Sequence, residues 1–153
     1  MAKRRRALIA GITGQDGYYL ADFLVGKGYD VYGLMRRTSN DSLVKYADNP
    51  DLRRKVKFLY GNLRDLNTLR NALNESRPDE IYNVAGQSDV GVSFLCPEET
   101  MEINYYGVGR LVNEALRFNP QVRIYQASTS EMFGQAAPRQ NERTPFNPVS
   151  PYA

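Results

Sequence analysis

The sequence predicts an α/β fold built on a parallel sheet, and three features carry that expectation. Short apolar runs alternate with stretches of helical apolar spacing along all 153 residues. A glycine-rich turn joins the first run to the first helical stretch. The composition, 42% hydrophobic and 24% charged, suits one globular domain with one core, and no apolar run is long enough to span a bilayer.

The elements follow in order. Residues 6–11 read as a buried strand ending on glycine. Leu20, Ala21 and Leu24 come next at helical spacing, with Lys27-Gly28 as the stop. Asp30 to Met35 is a second strand, and the polar stretch 36–55, with Asn49-Pro50, reads as a loop holding one short helix. Val56 to Tyr60 is a third strand. Asp65 can cap a helix with Leu66, Leu69, Ala72 and Leu73 on its apolar face, ended by Arg77-Pro78. Glu80 to Val84 is a fourth strand. Val108, Leu111, Val112, Ala115 and Leu116 then mark a strongly amphipathic helix that stops at Asn119-Pro120. Val122 to Ala127 is a fifth strand, and prolines mark residues 138–153 as loop. Right-handed crossovers order the strands 3-2-1-4-5 in a doubly wound, Rossmann-like sheet, incomplete on its C-terminal side. The fifth strand, left at the edge, is expected to favour self-association.

Composition excludes several chemistries. With no histidine, neither a Ser-His-Asp triad nor the usual zinc site can be built, so no metal is expected. The single cysteine, Cys96, cannot form an internal disulfide and reads as a reduced, partly buried thiol. The net charge of +3 is modest, and the basic clusters at residues 3–6 and 53–57 read as solvated strand flanks rather than a nucleic-acid surface. The apolar stretch after Lys3-Arg4-Arg5-Arg6 is too short for a signal peptide, so a cytoplasmic protein without membrane contact is expected.

Gly11-Ile12-Thr13-Gly14-Gln15-Asp16-Gly17 sits between the first strand and the first helix. There, glycines permit a tight turn and close approach of a diphosphate to N–H groups at a helix N-terminus. An ordinary glycine turn is the alternative. The GxxGxxG spacing points to the short-chain dehydrogenase/reductase group and its extended branch. After the second strand, Arg36-Arg37-Thr38-Ser39 stands where an NAD site would place a carboxylate. Two guanidinium groups can clamp a 2′-phosphate, which favours NADP; a solvated charge pair is the plainer reading. Asn62 and Leu63 follow the third strand near the expected adenine position, and Ala85 and Gln87 follow the fourth, at the floor of the cofactor cleft.

Gln126-Ala127-Ser128-Thr129-Ser130-Glu131 leaves the carboxyl end of the fifth strand, where open α/β sheets place their chemistry. A hydroxyl two residues before a carboxylate offers a substrate-orienting group and an acid/base; it also suits a helix cap. With GITGQDG, RRTS, IYNVAGQSDV, YQASTSEMFG and SPYA, the whole chain resembles the GDP-mannose 4,6-dehydratase family. That resemblance implies a lyase acting on GDP-mannose: oxidation at C4 by NADP⁺, loss of water across C5–C6, and hydride return to C6. It makes Tyr152 the base on the 4-hydroxyl and a cofactor contact, Thr129 a hydrogen-bond partner of that hydroxyl, and Glu131 the C5 base. Ser88, Thr129, Ser130 and Glu131 would touch substrate, and a dimer or tetramer is implied.

Three departures stand out. Asp89 occupies the place of a family histidine, and Asn62 that of an aspartate. The family's YxxxK lysine, which contacts the nicotinamide ribose, would fall four residues past Tyr152. Residues 1–153 are therefore expected to be a truncated NADP-binding domain without its substrate-binding domain, and inactive alone. Another NADP-dependent sugar-nucleotide epimerase or reductase, and a non-catalytic NADP-binding remnant, are the alternatives; Glu131 distinguishes a dehydratase from an epimerase.

Overall fold

The structure is a computed structural model that describes residues 4–39 and 42–153. Five parallel strands, β1 (Arg6–Ala10), β2 (Asp30–Met35), β3 (Val56–Tyr60), β4 (Glu80–Asn83) and β5 (Arg123–Gln126), lie in the order β3-β2-β1-β4-β5. The expected order is therefore correct. Because all strands run the same way, residues 11, 36, 61, 84 and 127 emerge at one end of the sheet, where the segments picked out from the sequence gather.

Apolar residues cover both faces. One cluster places Leu8, Ala10 and Ile81 beneath Leu69, Leu73, Leu111 and Ala115. The other places Ile9 and Val31 beneath Ala21, Leu24, Tyr46 and Leu52. Strands this short, buried on both sides, read as unbroken apolar runs, which is why β1 and β2 were legible. Helix α1 (Gln15–Gly26) covers the second face, with α2 (Val44–Ala47) and α3 (Pro50–Lys55) beside it. The stretch 36–55 thus carries two short helices, not one; the Asn49 side chain accepts from Leu52 N–H to start α3.

Helix α4 (Leu66–Ser76) begins on Asp65, whose carboxylate accepts from the N–H groups of Asn67 and Thr68, as expected. Arg77, with φ of 43°, ends it. The following helical run starts well before the amphipathic stretch visible in the sequence. It comprises α5 (Val90–Leu95), α6 (Pro97–Met101), a π-helical segment (Glu102–Gly107) and α7 (Val108–Phe118), continuous from Pro97 onward. Cys96 lies at the α5–α6 junction and is exposed, correcting the expectation of partial burial; Pro97 turns the chain there and keeps the thiol off the core. Arg70 of α4 donates from Nε to Glu114 of α7 at 2.7 Å, which holds that carboxyl below its ordinary pKa.

At the opposite end of the sheet, Glu80 is buried and gathers Arg123, Arg5 at 3.4 Å and Tyr82 at 2.7 Å. Burial and this bond to Glu80 push the Tyr82 phenol up to about 12. Among the described residues no helix is long and apolar enough to cross a membrane.

Tyr46 carries the clearest constraint on the loop that begins at Gly11. Its ring is fully buried, edge-on to Tyr18 and Phe58, and its hydroxyl donates to the Ile12 carbonyl at 3.1 Å. Burial raises its pKa well above the tyrosine range. Tyr46→Phe leaves that buried carbonyl without its donor and is expected to cost about 1–2 kcal/mol of stability. Urea unfolding measures this directly, and an unchanged midpoint would mean that the carbonyl is satisfied otherwise.

Candidate functional site

The turn after β1 is set by backbone proximity. Gly11 has φ of 88°, and a Cβ there would lie 2.8 Å from Ala85 N. A Cβ on Gly17 would collide with Gly11 O. No larger residue fits at either position, so the turn, the first turn of α1 and the exit of β4 pack backbone to backbone. Gly14 is the N-cap of α1, with no side-chain cap, and Gly14, Gln15 and Asp16 are exposed. The first-turn N–H groups of this twelve-residue helix lack helical acceptors and carry its positive end. An uncapped helix start, bared by glycines, fits a diphosphate. Thr13 is half-buried beside it.

Arg36 and Arg37 leave the end of β2 exposed, and neither forms an ion pair among the described residues. Asn62 spends its side-chain oxygen on Arg64 N–H at 3.0 Å, so it shapes the turn after β3. Leu63 is buried in the core against Gly107, where a Cβ would come within 2.9 Å of its own Cβ. Its side chain therefore faces the protein interior. Ala85 borders Gly11, as above. The Gln87 amide donates to the Asp89 carbonyl and to Thr100 Oγ1, and accepts from Asp89 N–H at 2.6 Å. Ser88 is exposed. Asp89 caps α5 by accepting from Val92 N–H, a role that suits its side chain without a histidine's chemistry.

Beyond β5 the chain turns sharply. Ser128 takes φ of 56°, and a 3₁₀ turn covers Ser130–Phe133. Thr129 Oγ1 accepts from Glu131 N–H at 3.1 Å, so the cap is formed. That leaves the Thr129 hydroxyl hydrogen available as a donor, beside the exposed Ser130 and Glu131.

The loop between this turn and Tyr152 docks back on the 3₁₀ segment. Asn147 N–H donates to Met132 O at 3.0 Å, and Gln135 N–H donates to Asn147 O. Phe133 and Phe146 rings meet at 5.4 Å. A docked hairpin-like loop thus anchors the chain five residues before Tyr152, which is half-buried.

Two asparagines escaped the sequence reading. Asn83, buried at the end of β4, donates to Gln126 Oε1 at 2.7 Å and accepts from Ala85 N–H. Asn104 binds the main chain of Gln87 from the π-helical segment. Asn83 lies within the IYNVAGQSDV block but pairs with a side chain on the neighbouring strand, and Asn104 binds main chain seventeen residues away, so the pattern of residues near each gives no sign of its partner.

Residues 8–153 match the family described as GDP-mannose 4,6 dehydratase. The chain is 46% identical to GDP-mannose 4,6 dehydratase 2 of Arabidopsis thaliana, over 98% of its own length and 43% of that protein. It is 48% identical to GDP-mannose 4,6-dehydratase of Yersinia enterocolitica, over 97% and 42%. It therefore spans less than half the length of these curated relatives. Among solved structures, a Thermus thermophilus UDP-glucose 4-epimerase in complex with NAD superimposes with a TM-score of 0.81 at 26% identity, covering 96% of this chain and 46% of that one.

Gly134 tests the docking of the 135–147 loop. It has φ of 46°, and a Cβ there would collide with Asn147 O. Gly134→Ala is expected to release this loop and speed its cleavage in limited proteolysis several-fold, with the sheet intact. Cleavage at the parental rate would show that the docking seen here does not hold the loop.

Proposed function

Because the chain belongs to the GDP-mannose 4,6-dehydratase family, we propose that it supplies the NADP-binding part of an enzyme converting GDP-mannose to GDP-4-keto-6-deoxymannose. The observation that carries this reading is the 129–131 turn at the end of β5, where a hydroxyl and a carboxylate stand together. An epimerase working only at C4 has no use for a base at C5. The sugar-nucleotide-binding domain belongs, on this reading, to chain outside these 153 residues. The same reading carries homo-oligomeric assembly and a cytoplasmic location.

The N–H groups at the start of α1 hold the diphosphate, with Gly11 and Gly17 letting the turn pack backbone to backbone and Gly14 leaving the exposed helix start without a side chain. Thr13, Gln15 and Asp16 border it. Arg36 and Arg37, exposed and without an ion pair among the described residues, bind the 2′-phosphate, which selects NADP over NAD. Asn62 and Leu63 offer main-chain contacts near the adenine, and Ala85 and Gln87 form the floor. A bound nicotinamide would supply the acceptor for the C4 hydride and its donor to C6.

Tyr152 takes the proton of the 4-hydroxyl, while Thr129 donates its free hydroxyl hydrogen to the same oxygen. The 4-keto group makes the C5 hydrogen acidic enough for a carboxylate, and Glu131 removes it. Glu131 then passes that proton to the leaving 6-hydroxyl, which departs as water. A proton equal to the one taken by Tyr152 is restored to C5 as hydride reaches C6, so the sugar loses only water. Ser88 and Ser130 are placed to hydrogen-bond the substrate.

The cofactor choice is tested by calorimetric titration. Replacing Arg36 and Arg37 by alanine is expected to weaken NADP⁺ binding about 10- to 100-fold and to leave NAD⁺ binding nearly unchanged. Equal losses for both would remove the 2′-phosphate role. The reaction is tested with GDP-mannose labelled by deuterium at C4, using protein that includes the substrate domain. Deuterium should appear at C6 of a 4-keto product, and Glu131→Gln should lower kcat about 10²- to 10⁴-fold. A C4 epimer in place of the keto sugar would sink the reading. The 153-residue chain by itself is expected to show no turnover.

A further inference from the structure

The amino end of the sheet, opposite the Gly11 turn, holds a polar recess. β4 and β5 begin there, at Glu80 and Arg123, next to the start of β1. The Glu80 side chain is 8% exposed, and its carboxylate accepts from Arg5 Nη1 and from the Tyr29 hydroxyl, each at 3.4 Å. It also accepts from the Tyr82 hydroxyl at 2.7 Å and from Arg123 Nη2. Four donors occupy the lone-pair positions of one carboxylate. A single buried negative charge thus holds two guanidinium groups together against their mutual repulsion. Arg6 is spent elsewhere: its N–H donates to Asp79 Oδ2 at 2.8 Å, and its guanidinium to the Ser76 carbonyl that ends α4. Arg4 adds a further cation, 72% exposed and paired with Asp30 only at 3.7 Å. Arg4, Arg5, Arg6 and Arg123 therefore stand against Asp30, Asp79 and Glu80, with a surplus of one positive charge.

Arg4, Arg5 and Arg123, with Asp79, Asn119 and Gln121, line a recess of about 310 Å³. Among the described residues, the bonds to Glu80 use one nitrogen of Arg5 and one of Arg123, so each guanidinium keeps two nitrogens as donors. Asn119 Oδ1 accepts from Gln121 N–H at 3.0 Å, which leaves the Asn119 amide nitrogen as a neutral donor. We propose that this recess binds the diphosphate group of a small anion, either inorganic pyrophosphate or a nucleoside diphosphate. Planar guanidinium groups take phosphate oxygens two at a time, and a ligand carrying several negative charges neutralises the surplus. Glu80 fixes the two forks before the ligand arrives, so little side-chain freedom is lost on binding. Strand β1, five residues at about 3.3 Å each, separates the recess from the Gly11 turn, so both can be filled at once. The proposal does not depend on which cofactor that turn holds.

The test is calorimetric titration of pyrophosphate, and separately of ADP, into protein that includes the substrate domain, in physiological salt and with excess NADP⁺ present. The parent should bind pyrophosphate saturably with a Kd of about 1 mM or tighter. Arg123→Gln and Arg4→Glu should each weaken that binding at least tenfold, while alanine at Arg36 and Arg37 should leave it within twofold. Equal affinity for pyrophosphate and ADP assigns recognition to the diphosphate alone; tighter binding of ADP, lost in the same two variants, extends it to the nucleoside. Should Arg123→Gln fail to fold because Glu80 loses a partner, Arg4→Glu, altered at an exposed side chain, decides by itself. No saturable binding of pyrophosphate, or affinity in Arg4→Glu within twofold of the parent, overturns the proposal. So does a loss in the Arg36 and Arg37 variant as large as that in Arg4→Glu, since the anion would then occupy the cofactor cleft.

Discussion

The structure depends on three backbones meeting without side chains at the carboxyl end of β1. Gly11 turns against Ala85, and Gly17 of α1 rests on Gly11. Central strand, first helix and the exit of β4 are therefore locked at near-minimal separation. Ile12, fully buried next to Gly33, and the Tyr46 hydroxyl on the Ile12 carbonyl hold the turn from the other side. Contacts of this kind tolerate little displacement, because a shift large enough to admit a methyl group would open voids in a close-packed interior. The rigidity explains how a short turn can keep several N–H groups aimed at one place.

Around that fixed point the polar residues divide into two kinds. Some are spent on the protein itself: Asn62 on its own turn, Asn83 on Gln126, Gln87 and Asn104 on the floor segment. Others, including Arg36, Arg37, Ser130 and Glu131, stand exposed. The first group sets distances between segments; the second has hydrogen-bonding and charge capacity left for a ligand. Thr129 belongs to both, accepting from Glu131 N–H while its hydroxyl hydrogen stays available.

What could be read from the sequence follows from the range of the interactions involved. Strand runs, the Asp65 cap, the glycine turn and the α7 stripe are local patterns, with their causes within a few residues. The segment Val90–Met101 offered no such pattern: Pro97 interrupts it, and several of its apolar residues, Phe94 and Leu95 among them, face outward. Cys96 was misjudged for the same reason, because its exposure depends on where a two-helix corner sits. The clamp of Asn104 on Gln87 joins residues seventeen apart through a π-helical widening, and an asparagine in a sequence gives no hint of it. The docking of Asn147 against Met132 and Gln135 is likewise a backbone contact that residue types do not advertise.

The strand order also bears on how the chain acquires its shape as it is synthesised. β1 is central, yet its two neighbours emerge far apart: β2 comes next, whereas β4 pairs with it across more than seventy intervening positions, as the bond from Arg6 N–H to the Asp79 carboxylate records. A nascent chain can assemble β1, β2 and β3 early, but one edge of its innermost strand stays bare until β4 has left the ribosome. During that interval a strand made of Ala7, Leu8, Ile9 and Ala10 presents unpaired backbone and apolar side chains together. Chaperone protection, or slow elongation between the codons of β3 and β4, would matter most in that window.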